Sequence, residues 1–210
     1  MTYYDSEYFN WQNNIGQFGG KANLFKFKDY IKPEYNVLEF GCGGGYLLKN
    51  ITCREKTGIE INKVAREVAT SNGIIVVPKT SDITDEWADV IISNHTLEHT
   101  LDPLGELREL NLKLKQKGII LFVVPQEFKN RYKEEDINMH LYSWTPANLG
   151  NLFKMAGFKV IKVKTLRSKW PPYFVFINRI FGEKSFRIIS TLYCIITNRG
   201  YQTWILAEKK

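Results

Sequence analysis

Residues 37–47 read VLEFGCGGGYL, which sets Glu39, Gly41, Gly43 and Gly45 at alternate positions behind a short apolar run. Glycines let a backbone adopt positive φ and come close to a ligand, so such a cluster after a strand suits a nucleotide-like cofactor. A P-loop closes on glycine, lysine and serine or threonine, whereas Tyr46 and Leu47 follow Gly45 here, and that turn is excluded. A dinucleotide turn needs G-x-G-x-x-G. Counted from Gly41 its third glycine would fall on Tyr46, and counted from Gly43 on Leu48. What remains is a carboxylate followed by three alternate glycines. Glu39 would repel a pyrophosphate and suits a cationic, amine-bearing ligand.

The histidines are the second group able to do chemistry: His95, His99 and His140. Imidazole titrates near neutrality and can act as a general base toward a hydroxyl of high pKa. Each also has a plain structural role open to it. His95 can bond backbone, His99 can pair with Glu98 or Asp102, and His140 can fix its loop. Residues 95–99, HTLEH, spell the inverted zinc-protease motif H-x-x-E-H. That motif belongs on a long helix, with a third carboxylate from a later one. Here Asp102-Pro103 interrupts the stretch, so no metal is expected.

These groups need a scaffold, and the chain supplies an alternating one. Strands are expected at Val37–Phe40, Thr57–Ile61, Ile74–Val77, Ala88–Ser93 and Ile119–Val124. Helices are expected between them: a short one at Tyr46–Ile51, one capped by Asn62 and ended by Gly73, and one from Pro103 to about Lys117. In the last of these, Leu104, Leu107, Leu110, Leu112 and Leu114 recur before Gly118. Strand–helix repetition predicts parallel pairing in a doubly wound, Rossmann-like α/β sheet with helices on both faces, a three-layer α/β/α fold. A helix from Thr145 to Ala156 and strands at Phe158–Leu166 and Gln202–Ala207 then break the rhythm. They predict an antiparallel C-terminal pair at one edge.

Taken in order, these features resemble the class I S-adenosylmethionine-dependent methyltransferases, in particular their type 11 and type 23 subfamilies. The resemblance runs from about residue 36 to 166. It rests on EFGCGGG, on GIEIN, on ADVIISNHTLEHTLDP and on MHLYSWTPANLGNLFKMAGFKV. It implies that Glu39, Gly41, Cys42, Gly43 and Gly45 form the turn around S-adenosylmethionine. Glu60 with Ile61 would meet the ribose hydroxyls, Asp82 and Ile83 the adenine, and Asn94 and Leu97 would complete the pocket. His99, His140 and His95 are the catalytic candidates. The product would be S-adenosylhomocysteine, with no metal involved. WPPYF, residues 170–174, is similar to the box of amino-group nucleic-acid methyltransferases, but Trp170 cannot accept a hydrogen bond as Asp or Asn does there. A rigid aromatic turn is the expectation.

Composition bounds the rest. With 29 Lys/Arg and 22 Asp/Glu the net charge is +7, yet residues 161–210 alone carry ten basic residues against Glu183 and Glu208. The basicity therefore belongs to the last quarter of the chain, where aromatic residues interleave with it over about 167–200. SFRIISTLYCII reads as an amphipathic or interfacial helix. Residues 1–35 are aromatic and resemble lid helices, broken at Gly19-Gly20; residues 36–210 form the methyltransferase domain. The chain opens without a basic and apolar leader, and its three cysteines form no CxxC pair. Both point to the cytoplasm, and the basic aromatic tail adds an expected peripheral contact at the inner face of the membrane. The activity implied is methyl transfer to an oxygen of a small molecule, glycan precursor or lipid-linked acceptor. An RNA or protein methyltransferase using the basic tail, or a non-catalytic cofactor-binding subunit, are the alternatives; no RNA-binding module is recognisable.

Overall fold

The computed structural model describes residues 15–127, 132, 134, 136 and 138–210. Its sheet follows from alternation along three central strands, β1 (Asn36–Phe40), β4 (Ala88–Asn94) and β5 (Leu114–Pro125). Successive side chains point to opposite faces of a strand. Val37, Val90, Ile92, Leu121 and Val123 pack into one core, and Leu38, Ile91, Ile120, Phe122 and Val124 into a second on the other face. Both faces are apolar, so both must be covered.

With β2 (Glu55–Ile59), β3 (Ile75–Val77), β6 (Phe158–Arg167) and β7 (Tyr201–Lys209), the strand order is β3-β2-β1-β4-β5-β7-β6. The first five strands pair in parallel. β7 runs antiparallel to both β5 and β6. The short helix α2 (Tyr46–Lys49) and α3 (Lys63–Ser71) cover one face through Leu47, Leu48 and Ala69. Helices α4 (Pro103–Lys113) and α5 (Pro146–Met155) cover the other through Leu107, Leu110, Leu149 and Phe153. The doubly wound, three-layer arrangement with its antiparallel C-terminal pair is the one expected.

Local chemistry starts these helices where the sequence indicates. Asn62 accepts hydrogen bonds from the backbone N–H of Val64 and Ala65 at 2.9 and 3.2 Å. Asp102 accepts from Gly105 N at 2.9 Å and Thr145 from Asn148 N at 3.3 Å, each directly before a proline at the first helical position.

Some boundaries differ from expectation. Helix α4 stops at Lys113 rather than about Lys117, because Leu114 already pairs with Ala88 in the sheet. The next paired residues are Val90 and Ile119, so Lys115–Gly118 bulge out, with Lys117 at φ 61°. Strand β2 starts and ends two residues early, leaving Glu60 just beyond its end.

Gly19 and Gly20 do not break a helix either; residues 15–22 are continuously helical, here α1. A Cβ on Gly20 would lie 2.3 Å from the Tyr46 carbonyl oxygen, and one on Gly16 2.5 Å from the Tyr46 ring. These glycines permit close approach of α1 to α2 rather than a turn. The aromatic stretch from Tyr3 to Trp11, expected to form the first lid helix, lies outside the described residues.

The tail forms α6 (Phe174–Thr197), interrupted at Gly182, whose φ of 74° and ψ of 169° are non-helical. Phe186, Ser190 and Cys194, spaced by four, face the domain. Phe176, Ile180, Phe181, Ile188, Leu192 and Ile196 are left exposed. No described helix is long and apolar enough to cross a membrane.

Candidate active site

Strand β1 has β2 on one side and β4 on the other, so the winding of the sheet reverses at its carboxyl end. Crevices for ligands form at such a reversal. A cavity of about 1070 Å³ opens there. Glu39, Gly41, Cys42 and Gly43 line it from β1 and its turn, Glu60 and Ile61 from beyond β2, and Asn94, His95 and His99 from beyond β4. His140 enters from the loop before α5, and Trp170 closes one side.

Four of the expected residues are absent from this lining. Gly45 packs against α3 instead, where a Cβ would lie 2.8 Å from Ile74. Ile83 and Leu97 are buried in the core beneath α4 and α5. Asp82 closes a 3-10 turn, Thr80–Asp82, by accepting from Lys79 N at 3.2 Å, and its side chain is exposed. That turn carries it round, and Pro78, Lys79, Thr80 and Ser81 form the wall there.

The glycine turn is left-handed at three points, with φ of 71° at Gly41, 52° at Gly43 and 73° at Gly45. Glu39 beside it is 3% exposed, and its Oε2 has no hydrogen-bond partner among the described residues. Burial pushes its carboxyl well above the usual carboxylate range, and the nearby Glu60 charge adds to the rise. A buried acid in this state favours a cationic neighbour. Glu60 is also raised by burial, against the opposing pull of the backbone N–H groups it binds. Its Oε2 accepts from Gly43 N at 2.9 Å and its Oε1 from Asn62 N at 2.8 Å. Each carboxylate oxygen has room for a second donor. Burial pushes the Cys42 thiol up, so it is a packing group and not a thiolate nucleophile.

Two buried groups behind the cavity lining were not among the expected site residues. Lys26 is buried, and its ammonium donates to Asn94 Oδ1 at 3.0 Å. Burial lowers its pKa to about 7. Nothing in the local sequence marks this lysine; its carbonyl is held by Trp204 Nε1 from the far end of the chain.

The second is Glu98. It is fully buried, and its Oε1 lies 3.3 Å from His95 Nδ1 and 4.0 Å from both His99 Nε2 and His140 Nε2. His99 and His140 meet edge to face with ring centroids 4.9 Å apart. The His140 loop is fastened by Leu141 N donating to the Glu98 carbonyl at 2.9 Å and Trp144 N to the Pro125 carbonyl at 3.2 Å. Burial holds the His99 imidazole below its ordinary pKa, against the pull of Glu98. All three histidines thus gather on one side of the cavity, around a carboxylate.

Residues 16–163 match the family described as methyltransferase domain. The chain is 27% identical over 161 residues to a ubiquinone biosynthesis O-methyltransferase of Rickettsia bellii, covering 66% of this chain and 67% of that protein. Among solved structures, a SAM-dependent methyltransferase from Thermotoga maritima superposes with a TM-score of 0.69 at 20% identity, covering 97% of this chain and 95% of that one. One from Archaeoglobus fulgidus gives 0.67 at 21% identity, covering 98% and 100%. The structural likenesses extend over both the parallel sheet and the antiparallel pair, and the family match spans the turn after β1, the end of β2 and the histidine segment. The chain therefore belongs to the methyltransferase domain family, as an S-adenosylmethionine-dependent enzyme.

Proposed function

We propose that this enzyme transfers the methyl group of S-adenosylmethionine to an oxygen of a small, lipid-linked or glycan-precursor acceptor. The observation that carries the reading is the division of the cavity into two chemically different ends. At one, the glycine turn lies between Glu39 and Glu60; at the other stand three histidines around Glu98.

The first end fits the cofactor. The unpartnered Glu39 oxygen suits its positive charge, and the two open acceptor sites of Glu60 suit a pair of ribose hydroxyls. A Cβ on Gly43 would meet nothing within 4 Å, so space is open on the cavity side of the turn. Lys79, Thr80 and Ser81 stand where the adenine is expected. When bound, the cofactor supplies an electrophilic methyl carbon on a sulfonium. The chain's own part is to hold the acceptor in line, exclude water and take a proton from it. His99 and His140, with His95 beside them, are the groups at the acceptor's end suited to that last task. Residues 15–23 and Trp170 act as the lid.

The second end and the tail speak for the acceptor. The relative from Rickettsia bellii carries an O-methyltransferase name, and its acceptor class is consistent with α6. That helix exposes Phe176, Ile180 and Phe181 among Arg179, Lys184 and Arg187. An apolar face flanked by cations suits an anionic lipid surface from which an amphipathic acceptor could be drawn.

The test is to incubate the purified enzyme with methyl-labelled S-adenosylmethionine and a total cell extract, then fractionate. Label entering an organic-phase or small-molecule fraction as a base-resistant methyl ether is expected. Label confined to RNA or to protein would overturn the reading and favour use of the basic tail for a macromolecule.

A further inference from the structure

We propose that Glu98, His99 and His140 form a binding site for one divalent transition-metal ion of the zinc class, with three protein donors and one exchangeable position. Among the described residues, Glu98, His99 and His140 are the group of three whose ligand atoms converge, all within 4.8 Å of one another. They come from two places in the chain, the 3-10 turn Leu97–His99 after β4 and the loop before α5. His95 Nδ1 stands 3.3 Å from the same Glu98 oxygen.

The carboxylate makes the strongest demand. Glu98 is fully buried, and neither of its oxygens has a hydrogen-bond donor among the described residues. A buried carboxylate without donors is costly unless a cation meets it. The surrounding imidazoles can meet it in two ways, by one of them carrying a proton or by His99 and His140 sharing an ion with it.

The arrangement around His140 favours the ion. Its Nδ1 lies 3.0 Å from Glu127 Oε2, the geometry in which Nδ1–H donates to a carboxylate. That leaves the lone pair on Nε2, the atom facing Glu98. A carboxylate behind a histidine, setting its tautomer and raising its basicity, is the usual outer support of a metal ligand.

Geometry allows closure. A tetrahedral shell with bonds of about 2.0–2.1 Å has donor–donor edges of about 3.3 Å. The Glu98 Oε1 separations to His99 and His140 are 4.0 Å each, and the three ligand atoms lie within 4.8 Å of one another, so rotation of the two rings toward the carboxylate brings them to such edges. Imidazole with one carboxylate is the donor set for zinc and its neighbours, whereas magnesium and calcium take oxygen. His99 and His140 line the cavity, so an exchangeable position on the ion would face whatever acceptor oxygen occupies it; with both rings held as ligands, the ion would lower that oxygen's proton affinity and His95 would remain as the free imidazole.

The site stands independently of the acceptor. The full chain, freed of any affinity tag and treated with chelator, is titrated with zinc chloride in a calorimeter. One ion per chain is expected, with a dissociation constant of about 1 µM or tighter. Magnesium chloride is expected to show no binding in that range. Glu127→Gln should weaken zinc about 10- to 100-fold through the lost support, and Glu98→Gln or His140→Ala at least as much. S-adenosylmethionine titrated into the same samples reports that the cofactor end remains intact, and cobalt(II) visible absorption of the unaltered chain reports imidazole coordination without any substitution. Absence of zinc binding to the unaltered chain, or zinc affinity unchanged in the double variant His99→Ala/His140→Ala, overturns the proposal and leaves a proton-neutralised Glu–His cluster.

Discussion

Gly43 donates its backbone N–H to Glu60 Oε2 at 2.9 Å, which ties the glycine turn after β1 to the carboxylate after β2. The other Glu60 oxygen holds Asn62 N, the residue that caps α3. One carboxylate therefore shapes both walls of the cofactor end. Glu60→Gln keeps the volume but turns an N–H₂ toward one of two backbone donors. Its affinity for S-adenosylmethionine should fall by about tenfold or more, a loss of at least about 1.4 kcal/mol. Calorimetric titration checks this, and unchanged affinity would remove Glu60 from the site.

Gly41 and Gly43 should fail differently when given a methyl group. A Cβ on Gly41 would lie 2.2 Å from Thr96 Oγ1 at a φ of 71°. Gly41→Ala is expected to destabilise the fold by about 1–3 kcal/mol, lowering Tm by several degrees. At Gly43 the Cβ meets no atom within 4 Å, with φ at 52°. Gly43→Ala should cost about 1–2 kcal/mol of backbone strain and in addition lose cofactor affinity, since the methyl enters the ligand's space. Thermal melts with and without S-adenosylmethionine separate the two; equal ligand-induced shifts in Tm for Gly43→Ala and the unaltered chain would contradict the assignment.

Burial lowers the Lys26 pKa from 10.5 to about 7. An unfolded chain keeps the proton up to the higher value and the folded one only to the lower. Between them the unfolded state binds more protons, so stability rises with pH over that interval. Below about pH 7 both states are protonated and the cost of burying the charge is constant. Lys26→Met removes this dependence. The stability difference between unaltered chain and variant should climb in favour of the unaltered chain from pH 7 to 10, with a slope of up to about 1.4 kcal/mol per unit. Urea denaturation at several pH values measures it, and a flat difference would show that Lys26 is not buried as a titrating group.

The exposed face of α6 carries Phe176 at 63% and Phe181 at 58% exposure beside Arg179. Phe176→Asp with Phe181→Asp should weaken binding to phosphatidylglycerol vesicles by about tenfold or more, from lost apolar burial and added negative charge. Raising salt should weaken the unaltered chain as well. Flotation of vesicles checks both. Equal flotation of variant and unaltered chain would exclude α6 as the contact.

Much of the fold was legible because its causes are local. Asn62, Asp102 and Thr145 cap helices through bonds to residues two or three positions on, and the strands alternate because the pleat has a period of two. The glycine turn was readable in the same way, from positive φ and spacing. The misreadings share another cause. Gly19 and Gly20 look like a break until Trp170 and α2 are seen to lie against them, and Leu114 looks helical until Ala88 is found as its partner. Asp82 was placed by its distance after a strand, but a single 3-10 turn changes the direction of a side chain.

By itself, then, the sequence determined the layers of the sheet, the left-handed glycine turn after β1 and the methyltransferase family, since each depends on neighbours within a few residues. Only tertiary structure decided what HTLEH stands beside. As a linear motif it lacks a third ligand on a helix. In the folded chain, backbone bonds from Leu141 to Glu98 and from Trp144 to Pro125 bring His140 across to it. Likewise Lys26 reaches Asn94 over a separation of 68 residues. Burial and long-range pairing give a buried carboxylate or lysine its character, and neither is a property of residues near it in the chain.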